Sequence, residues 1–152
     1  MKGLLRHSLL VLALIFSAST VASTADIDYS FEGIKKRAEA GDISDQHTLG
    51  MIYENGPDVP QDYQQAVRWY TKAAEAGYVQ AQTDLGRMYY LGKGVAKNYV
   101  LAHKWLNLSL SKFREPVTAL LFEEIESHMT PAQVAEAQKL AREWKPKKVT
   151  KP

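Results

Sequence analysis

Residues 81–105 decide the fold, and they read AQTDLGRMYYLGKGVAKNYVLAHKW. A shift of 36 positions places this stretch on residues 45–69, which read DQHTLGMIYENGPDVPQDYQQAVRW. Between positions 38 and 69, 13 of 32 residues are identical to the residue 36 positions later. A fixed period of this length is typical of stacked supersecondary units, because no single unit buries its apolar face alone. The sequence therefore predicts a repeat protein.

Each unit is predicted to begin with a helix that carries one apolar stripe. Leu85 and Tyr89 lie four residues apart on this stripe, as do their counterparts 36 positions earlier. Gly86 and its counterpart Gly50 lie beside the stripe. Glycine inside a helix costs about 1 kcal/mol relative to alanine, so its recurrence at one place indicates a packing role. We expect a neighbouring helix backbone to approach closely at these two glycines.

A second helix is predicted to complete each unit. It begins at a good N-cap residue, Asp62 in the first unit and Asn98 in the second. Gln65 has the spacing that would complete a capping box with Asp62. Gly41 and Gly77 follow the last turns, where a left-handed residue commonly ends a helix. The prediction is helix, turn, helix and glycine, repeated.

Both ends of the chain are predicted to cover the stack. Phe31, Ile34 and Ala38 have the spacing of the second helix of a degenerate preceding unit. At the other end, Pro116 is expected to begin a helix that runs to about residue 129. The stretch Thr130–Gln133 forms a capping box with proline at the first helical position, and it opens a last helix through residue 144. Two full units are fewer than the roughly three needed for stability, so these flanking helices supply the missing neighbours.

The pattern Ala-Gln-x-x-Leu-Gly-x-x-Tyr that opens residues 81–105 resembles the Sel-one-like repeat, a relative of the tetratricopeptide repeat. The resemblance covers residues 38 to about 110, and the ending 129–144 is similar to that of short exported bacterial members. It implies an all-α fold, an α-solenoid of helix pairs in a right-handed superhelix with C-terminal capping helices. It also implies an adaptor in protein complexes with no chemistry of its own. Asp45 stands where the pattern has alanine, and it is expected to face solvent at an uncovered edge.

The predicted organisation follows from the repeat and its flanks. It consists of a signal peptide at 1–25, an N-terminal half-repeat helix at 26–37, repeat units at 38–73 and 74–111, capping helices at 112–145 and a basic flexible tail at 146–152.

The N-terminal residues have the pattern of a secretory signal. Lys2 and Arg6 are followed by the apolar run Leu9–Phe16 and by a tail of small residues to Ala25. The run is shorter than the roughly 20 residues that span a bilayer, so a retained anchor is the weaker alternative and no span is expected after cleavage. The chain is therefore expected to be exported, and to be periplasmic if the source is Gram-negative.

Charge argues against nucleic acid as a partner. The chain has 19 basic and 17 acidic residues, and removal of Lys2 and Arg6 with the signal leaves a net charge of zero. A neutral surface has no electrostatic motive to bind a phosphate backbone. Four of the 17 remaining basic residues lie at the C-terminal end, at Lys145, Lys147, Lys148 and Lys151, so residues 26–144 carry 13 basic and 17 acidic groups.

No group of residues predicts catalysis, a cofactor or a metal. The chain has no cysteine, which excludes disulfides, thiolate zinc sites and cysteine nucleophiles. His47, His103 and His128 fall on different predicted helices. Glu124 and His128 could contact one ion, but a zinc site needs three or four ligands. No serine has the spacing of a nucleophile elbow, and no glycine-rich loop follows a strand.

The partner surface is predicted on the face of each first helix that points away from the apolar stripe. Arg87 and Tyr90 are the expected anchors, because arginine and tyrosine are enriched among interface hot spots. The aromatic residues that recur at the repeat period, such as Trp69 and Trp105, are expected in the core instead. The predicted contact residues are Ser44, His47, Met51, Glu54, Asn55, Gln80, Thr83, Arg87, Tyr90 and Leu91.

The sequence thus predicts an exported adaptor that binds a protein or peptide in a concave helical groove and is not an enzyme. The alternative is a regulatory or inhibitory subunit of an envelope enzyme or secretion system, followed by a cell-wall glycan binder. The identity of the partner, the pathway and the oligomeric state are left open.

Overall fold

The protein is an all-α solenoid, as the sequence predicted. The computed structural model describes residues 27–56 and 59–148, and these ranges contain seven α-helices and no strand. The predicted signal peptide lies outside the described residues. None of the seven helices is long and apolar enough to cross a membrane. The helices are α1 Phe31–Glu39, α2 Ile43–Asn55, α3 Tyr63–Glu75, α4 Val79–Leu91, α5 Tyr99–Lys112, α6 Pro116–Ser127 and α7 Pro131–Glu143.

The helices pack as consecutive hairpins. Helix α2 packs on α3 and α4 on α5, and α3 joins the two hairpins by its contact with α4. Helix α1 covers α2 at one end, while α6 and α7 both pack on α5 at the other. The same backbone hydrogen bond closes each hairpin, from Asp62 to the carbonyl of Tyr53 at 2.8 Å and from Asn98 to the carbonyl of Tyr89 at 2.9 Å. The repeat period therefore corresponds to one helical hairpin.

The helix starts follow the predicted caps with one difference. Asp62 accepts a hydrogen bond from the backbone N–H of Gln65 at 3.0 Å, as an N-cap does. The capping box predicted for this pair is not formed, because the Asp62 N–H is already bonded to the Tyr53 carbonyl. The capping box of Thr130 and Gln133 is present in full.

The two glycines inside helices are packing positions, although the contact differs from the one predicted. A Cβ atom on Gly50 would lie 2.6 Å from the ring of Tyr70, and one on Gly86 would lie 2.8 Å from Leu106 Cγ. At Gly86 the Ala102 carbonyl oxygen is also within 3.1 Å. We expected the backbone of a neighbouring helix to lie against each glycine. A large side chain of the second helix occupies most of that space instead.

The core runs along the hairpins from end to end. Leu49 and Leu85, the two leucines of the repeated stripe, are fully buried. Tyr70 and Leu106 of the second helices are fully buried as well. Trp69 and Trp105 are only 6% and 5% exposed, so the recurring tryptophans belong to the core, as predicted.

Asp45 does not face solvent as predicted. Arg37 of α1 donates from Nε and Nη2 to its carboxylate, and the Asp45 side chain is 17% exposed. The reason is that α1 packs on α2 and covers the edge of the stack that we predicted to be uncovered.

Residues 144–148 follow α7 and lie back against the repeats, and we name them the C-terminal strap. The Trp144 ring meets Trp105 edge-on, with ring centroids 6.2 Å apart. The backbone N–H of Lys147 donates to the Glu75 carbonyl at 2.7 Å, and its ammonium pairs with the Glu75 carboxylate at 2.7 Å. The first residues of the predicted tail therefore close the C-terminal end of α3.

Candidate groove between the repeats and the cap

A cavity of about 510 Å³ opens where the two repeat hairpins meet the first capping helix. We name it the groove. Its lining comes from α2, α4, the end of α5 and the start of α6, so no single repeat builds it. The lining residues are His47, Val79, Gln80, Thr83, Asp84, Ser109, Phe113, Glu115 and Thr118.

Beside the groove lies a charged network that joins α2, α3 and α4. Arg87 donates from both terminal nitrogens to Glu54, at 2.7 and 2.8 Å, and also to Asp84 at 3.1 Å. His47 donates from Nε2 to the other oxygen of Asp84 at 2.8 Å. The hydroxyl of Tyr70 donates to Glu54 at 2.8 Å. These five residues, which we call the charged network, fix the two first helices relative to each other.

The pKa values of the network favour its charged form. Burial raises the pKa of Glu54, but hydrogen bonds from Arg87 and Tyr70 outweigh it and hold that pKa below its ordinary value. The hydrogen bond to Glu54 raises the pKa of Arg87, although burial opposes the shift. Burial and the nearby carboxylates raise the pKa of Tyr70, so its hydroxyl stays a donor. The network therefore holds two carboxylates against one guanidinium.

His47 is held rigidly at the inner end of the groove. Its ring lies between those of Tyr70 and Tyr78, with centroid distances of 5.6 and 5.2 Å, and the residue is 8% exposed. Its bond to Asp84 fixes the ring orientation. His47 therefore forms part of the floor of the groove and offers little exposed surface to a partner.

The outer wall comes from the transition between α5 and α6. The hydroxyls of Thr83 and Ser109 are hydrogen-bonded at 2.6 Å, which ties α4 to α5. Phe113 ends α5, and it is 65% exposed. Thr118 donates to the Glu115 carboxylate across the first turn of α6. The wall therefore offers an exposed aromatic ring next to a carboxylate.

The structure places the ten predicted contact residues in different surroundings. His47, Gln80 and Thr83 line the groove, whereas Glu54 and Arg87 are engaged in the charged network. Tyr90 lies near Tyr99, with ring centroids 6.1 Å apart, and so lies away from the groove lining. As partner contacts, all ten stay a prediction. The four others, all exposed, are Ser44, Met51, Asn55 and Leu91.

Sequence reasoning missed most of the groove. Asp84 could have been found, because it lies four residues after Gln80 and three before Arg87 on one helical face. Phe113, Glu115 and the other residues after the repeat carry no such signal, since their position depends on how α6 packs on α5.

The described residues show no metal centre. No group of three or more histidine or acidic residues in residues 27–56 and 59–148 could hold an ion. Glu124 and His128 do lie 3.0 Å apart, and both side chains are about half exposed. This pair is an ordinary contact between neighbouring turns of a surface helix.

Comparison with known proteins places the repeat in a family. The Sel1 repeat model matches residues 45–78 and 79–112. A solved Sel1 repeat protein from Oxalobacter formigenes is 33% identical, with a TM-score of 0.58 over 61% of this chain and 69% of that chain. A protective antigen of uropathogenic Escherichia coli strains, described as displaying an SLR fold, is 32% identical with a TM-score of 0.72. No curated protein matches.

The fold and the matches define the class as helical repeat proteins built from stacked hairpins. This chain belongs to the Sel1 repeat family. Proteins with these repeats generally mediate protein–protein interactions and are typically scaffolds without enzymatic activity. The match to the E. coli antigen covers 75% of this chain and 24% of the antigen, so this chain spans about a quarter of that protein.

Proposed function

We propose that the mature chain is an exported adaptor that holds a segment of a protein partner in the groove. The observation that carries the proposal is the groove itself, a cavity of about 510 Å³ between the repeats and the cap. Cavities of roughly 300–1,000 Å³ are of the size that binds a drug-sized group or a few side chains. A short peptide segment fits this volume.

The lining supports a protein partner. Gln80 and Phe113 are exposed at the groove, and Val79 and Thr83 are partly exposed beside them. This mixture of an aromatic anchor, an aliphatic group and hydrogen-bonding side chains is typical of peptide recognition. The charged network orders the floor in advance, which lowers the entropy cost of binding.

Export rests on the N-terminal sequence. Residues 1–25 have the basic, apolar and small-residue regions of a secretory signal, and no cysteine offers a lipid attachment site. Expression of the full chain in a Gram-negative host, followed by fractionation and N-terminal sequencing of the product, tests this part. A product that keeps residues 1–25 and stays in the cytoplasm would contradict export.

The binding part is tested by capture from the envelope of the native host. The mature protein is crosslinked to envelope extracts and compared with the double variant Gln80→Ala and Phe113→Ser. Both residues are exposed at the groove, so the variant is expected to keep its fold and to lose the captured partner. Arg87 is unsuitable for this test, because its removal would leave Glu54 without its ion-pair partner.

The matched control is the double variant Gln64→Ala and Leu120→Ser. It removes an exposed glutamine and an exposed large apolar side chain that do not line the groove. The control should capture the same partner as the wild type. Equal capture by the groove variant would refute the groove as the binding site.

A further inference from the structure

We infer that the groove selects partner segments in which a lysine or arginine stands close to an apolar residue. The inference rests on the proposed function and specifies the chemistry of the segment. It follows from the charge of the lining, the acceptor groups that remain, and the exposed aromatic ring at the outer wall.

The lining carries two carboxylates, and its one basic side chain is the His47 imidazole, which is bonded to Asp84. Asp84 and Glu115 are its two carboxylates, and none of the nine lining residues is lysine or arginine. Arg87 is the nearest cation of the charged network, but its two terminal nitrogens are bonded to Glu54 at 2.7 and 2.8 Å. The guanidinium is therefore shared between Glu54 and Asp84, so two carboxylates of the network face a single arginine.

Glu115 is the carboxylate best placed to meet a ligand cation. It lies at the outer wall, and the Thr118 hydroxyl bonds to its Oε2. The second oxygen of the carboxylate remains for a donor from the partner, since an ionised carboxylate has about four acceptor positions. Asp84 instead has both oxygens engaged, one by His47 and one by Arg87. Asp84 therefore contributes mainly through the electrostatic field of its negative charge.

Phe113 supplies the apolar part of the recognition. Its ring is 65% exposed at the wall of the groove, two residues before Glu115. Aromatic rings also attract cations over their faces. The protein already uses this contact elsewhere, with the Lys72 ammonium 4.0 Å from the Trp69 ring centroid and that of Lys104 4.2 Å from Trp105.

An acidic segment is disfavoured by the same lining. It would bring a third carboxylate beside Asp84 and Glu115 with no lining cation to neutralise it, and like charges in a partly desolvated groove repel. Charge thus acts as the selective element, while Phe113 and Val79 provide apolar contact area.

The test is an oriented peptide library on the folded mature protein. Pools of nine-residue peptides, each with one fixed central residue and the other positions degenerate, are passed over the immobilised wild type at low salt. Pools fixed as lysine or arginine are expected to be retained about fivefold or more over pools fixed as aspartate or glutamate. Within the retained pools, apolar residues should be enriched near the fixed position. The preference should shrink as salt rises.

Two charge-reversal variants decide whether the groove causes the preference. Glu115→Lys should bring the ratio of basic to acidic pools to about one or below. Glu123→Lys changes the net charge equally but alters an exposed residue outside the groove, so it should leave the ratio unchanged. Circular dichroism confirms that both variants are folded.

Each other outcome overturns the inference. No retention of any pool, no preference for basic pools, or an equal effect of both variants would each show that the groove does not select by charge. If the partner captured from the envelope still depends on the groove in those cases, the proposed function stands without this inference. If capture is independent of the groove, the proposed function fails whatever the library shows.

Discussion

At the residue scale, the repeat depends on small residues opposite large ones. Gly86 gives Leu106 room to lie against α4, as Gly50 gives room to the Tyr70 ring. Both large residues are fully buried, so the glycines set how closely the two helices of a hairpin approach. Their recurrence was visible in the sequence, but the identity of the opposing side chain was not.

We expect Gly86→Ala to lower the free energy of unfolding. The added methyl group would lie 2.8 Å from Leu106 Cγ and 3.1 Å from the Ala102 carbonyl. Overpacking typically costs about 1–3 kcal/mol, which exceeds the gain of about 1 kcal/mol in helix propensity. Urea denaturation measures the change. In a Leu106→Ala background the contact with Leu106 is removed and only that with the Ala102 carbonyl remains, so the same substitution should destabilise less. An unchanged stability in the wild-type background would refute the packing role.

His103 is a second residue whose surroundings decide its behaviour. It is fully buried, the Phe122 ring centroid is 4.3 Å away, and Glu126 is 3.6 Å from its Nε2. Neither ring nitrogen has a hydrogen-bond partner within the described part of the chain. Burial lowers the pKa of His103 below its ordinary 6.5, and the nearby Glu126 opposes the shift only in part.

This lowered pKa predicts a loss of stability in mild acid. Above the ordinary value of 6.5, the ring is neutral in both the folded and the unfolded chain. As the pH falls through that value, the unfolded chain binds a proton that the folded chain does not, so the free energy of unfolding decreases. Melting temperatures between about pH 7.5 and 5.5 should fall more for the wild type than for His103→Gln. Parallel curves would show that His103 is not the cause.

At the element scale, each end of the stack is covered in a different way. Helix α1 covers α2 and pairs Arg37 with Asp45. At the other end α7 packs on α5, and the C-terminal strap continues to Trp105 and to the last turn of α3. The strap thus connects the cap to the first hairpin.

We expect removal of the strap to destabilise the protein by about 2 kcal/mol or more, because the Trp144 contact with Trp105 is lost. A chain that ends at Glu143 also loses both bonds from Lys147 to Glu75. The control is a chain that ends at Lys148, which keeps these contacts. Denaturant unfolding of the two chains measures the difference, and equal stability would show that the strap does not hold the fold.

At the scale of the whole molecule, stability comes from contacts between neighbouring hairpins. Helices α1 to α6 pack mainly on the elements next to them in the chain, and α7 packs on α5, so the free energy is shared among interfaces along the stack. The two repeat hairpins meet mainly between α3 and α4, and the charged network adds side-chain contacts between α2 and α4. The caps therefore complete the fold as well as the groove.

Deletion of α6 and α7 tests this dependence. In the full chain, Ala102 and Leu106 pack with Ile125 of α6. A chain that ends at Lys112 lacks α6 and exposes both residues. We expect it to lose the sharp unfolding transition of the full mature chain and to unfold gradually in urea, as followed by circular dichroism. A sharp transition of similar midpoint would mean that the two repeats with α1 fold independently of the cap.

The repeat and its helical hairpins can be predicted from the order of the amino acids alone. The period of 36 residues and the apolar residues four apart depend on contacts within a turn or between adjacent helices. N-caps such as Asp62 and the capping box of Thr130 depend on residues three apart. Such short-range patterns can be recognised directly in the amino-acid sequence.

The candidate site depends on contacts between helices that are far apart in the sequence. Arg87 meets Glu54 from 33 positions away, so a residue predicted as a partner anchor also pairs within the protein, and its role as a partner contact stays a prediction. Phe113 and Glu115 enter the groove because α6 packs on α5, and no repeat pattern covers them. Contacts between distant residues are set by the packing of whole helices, and a single sequence does not record that packing in any local spacing.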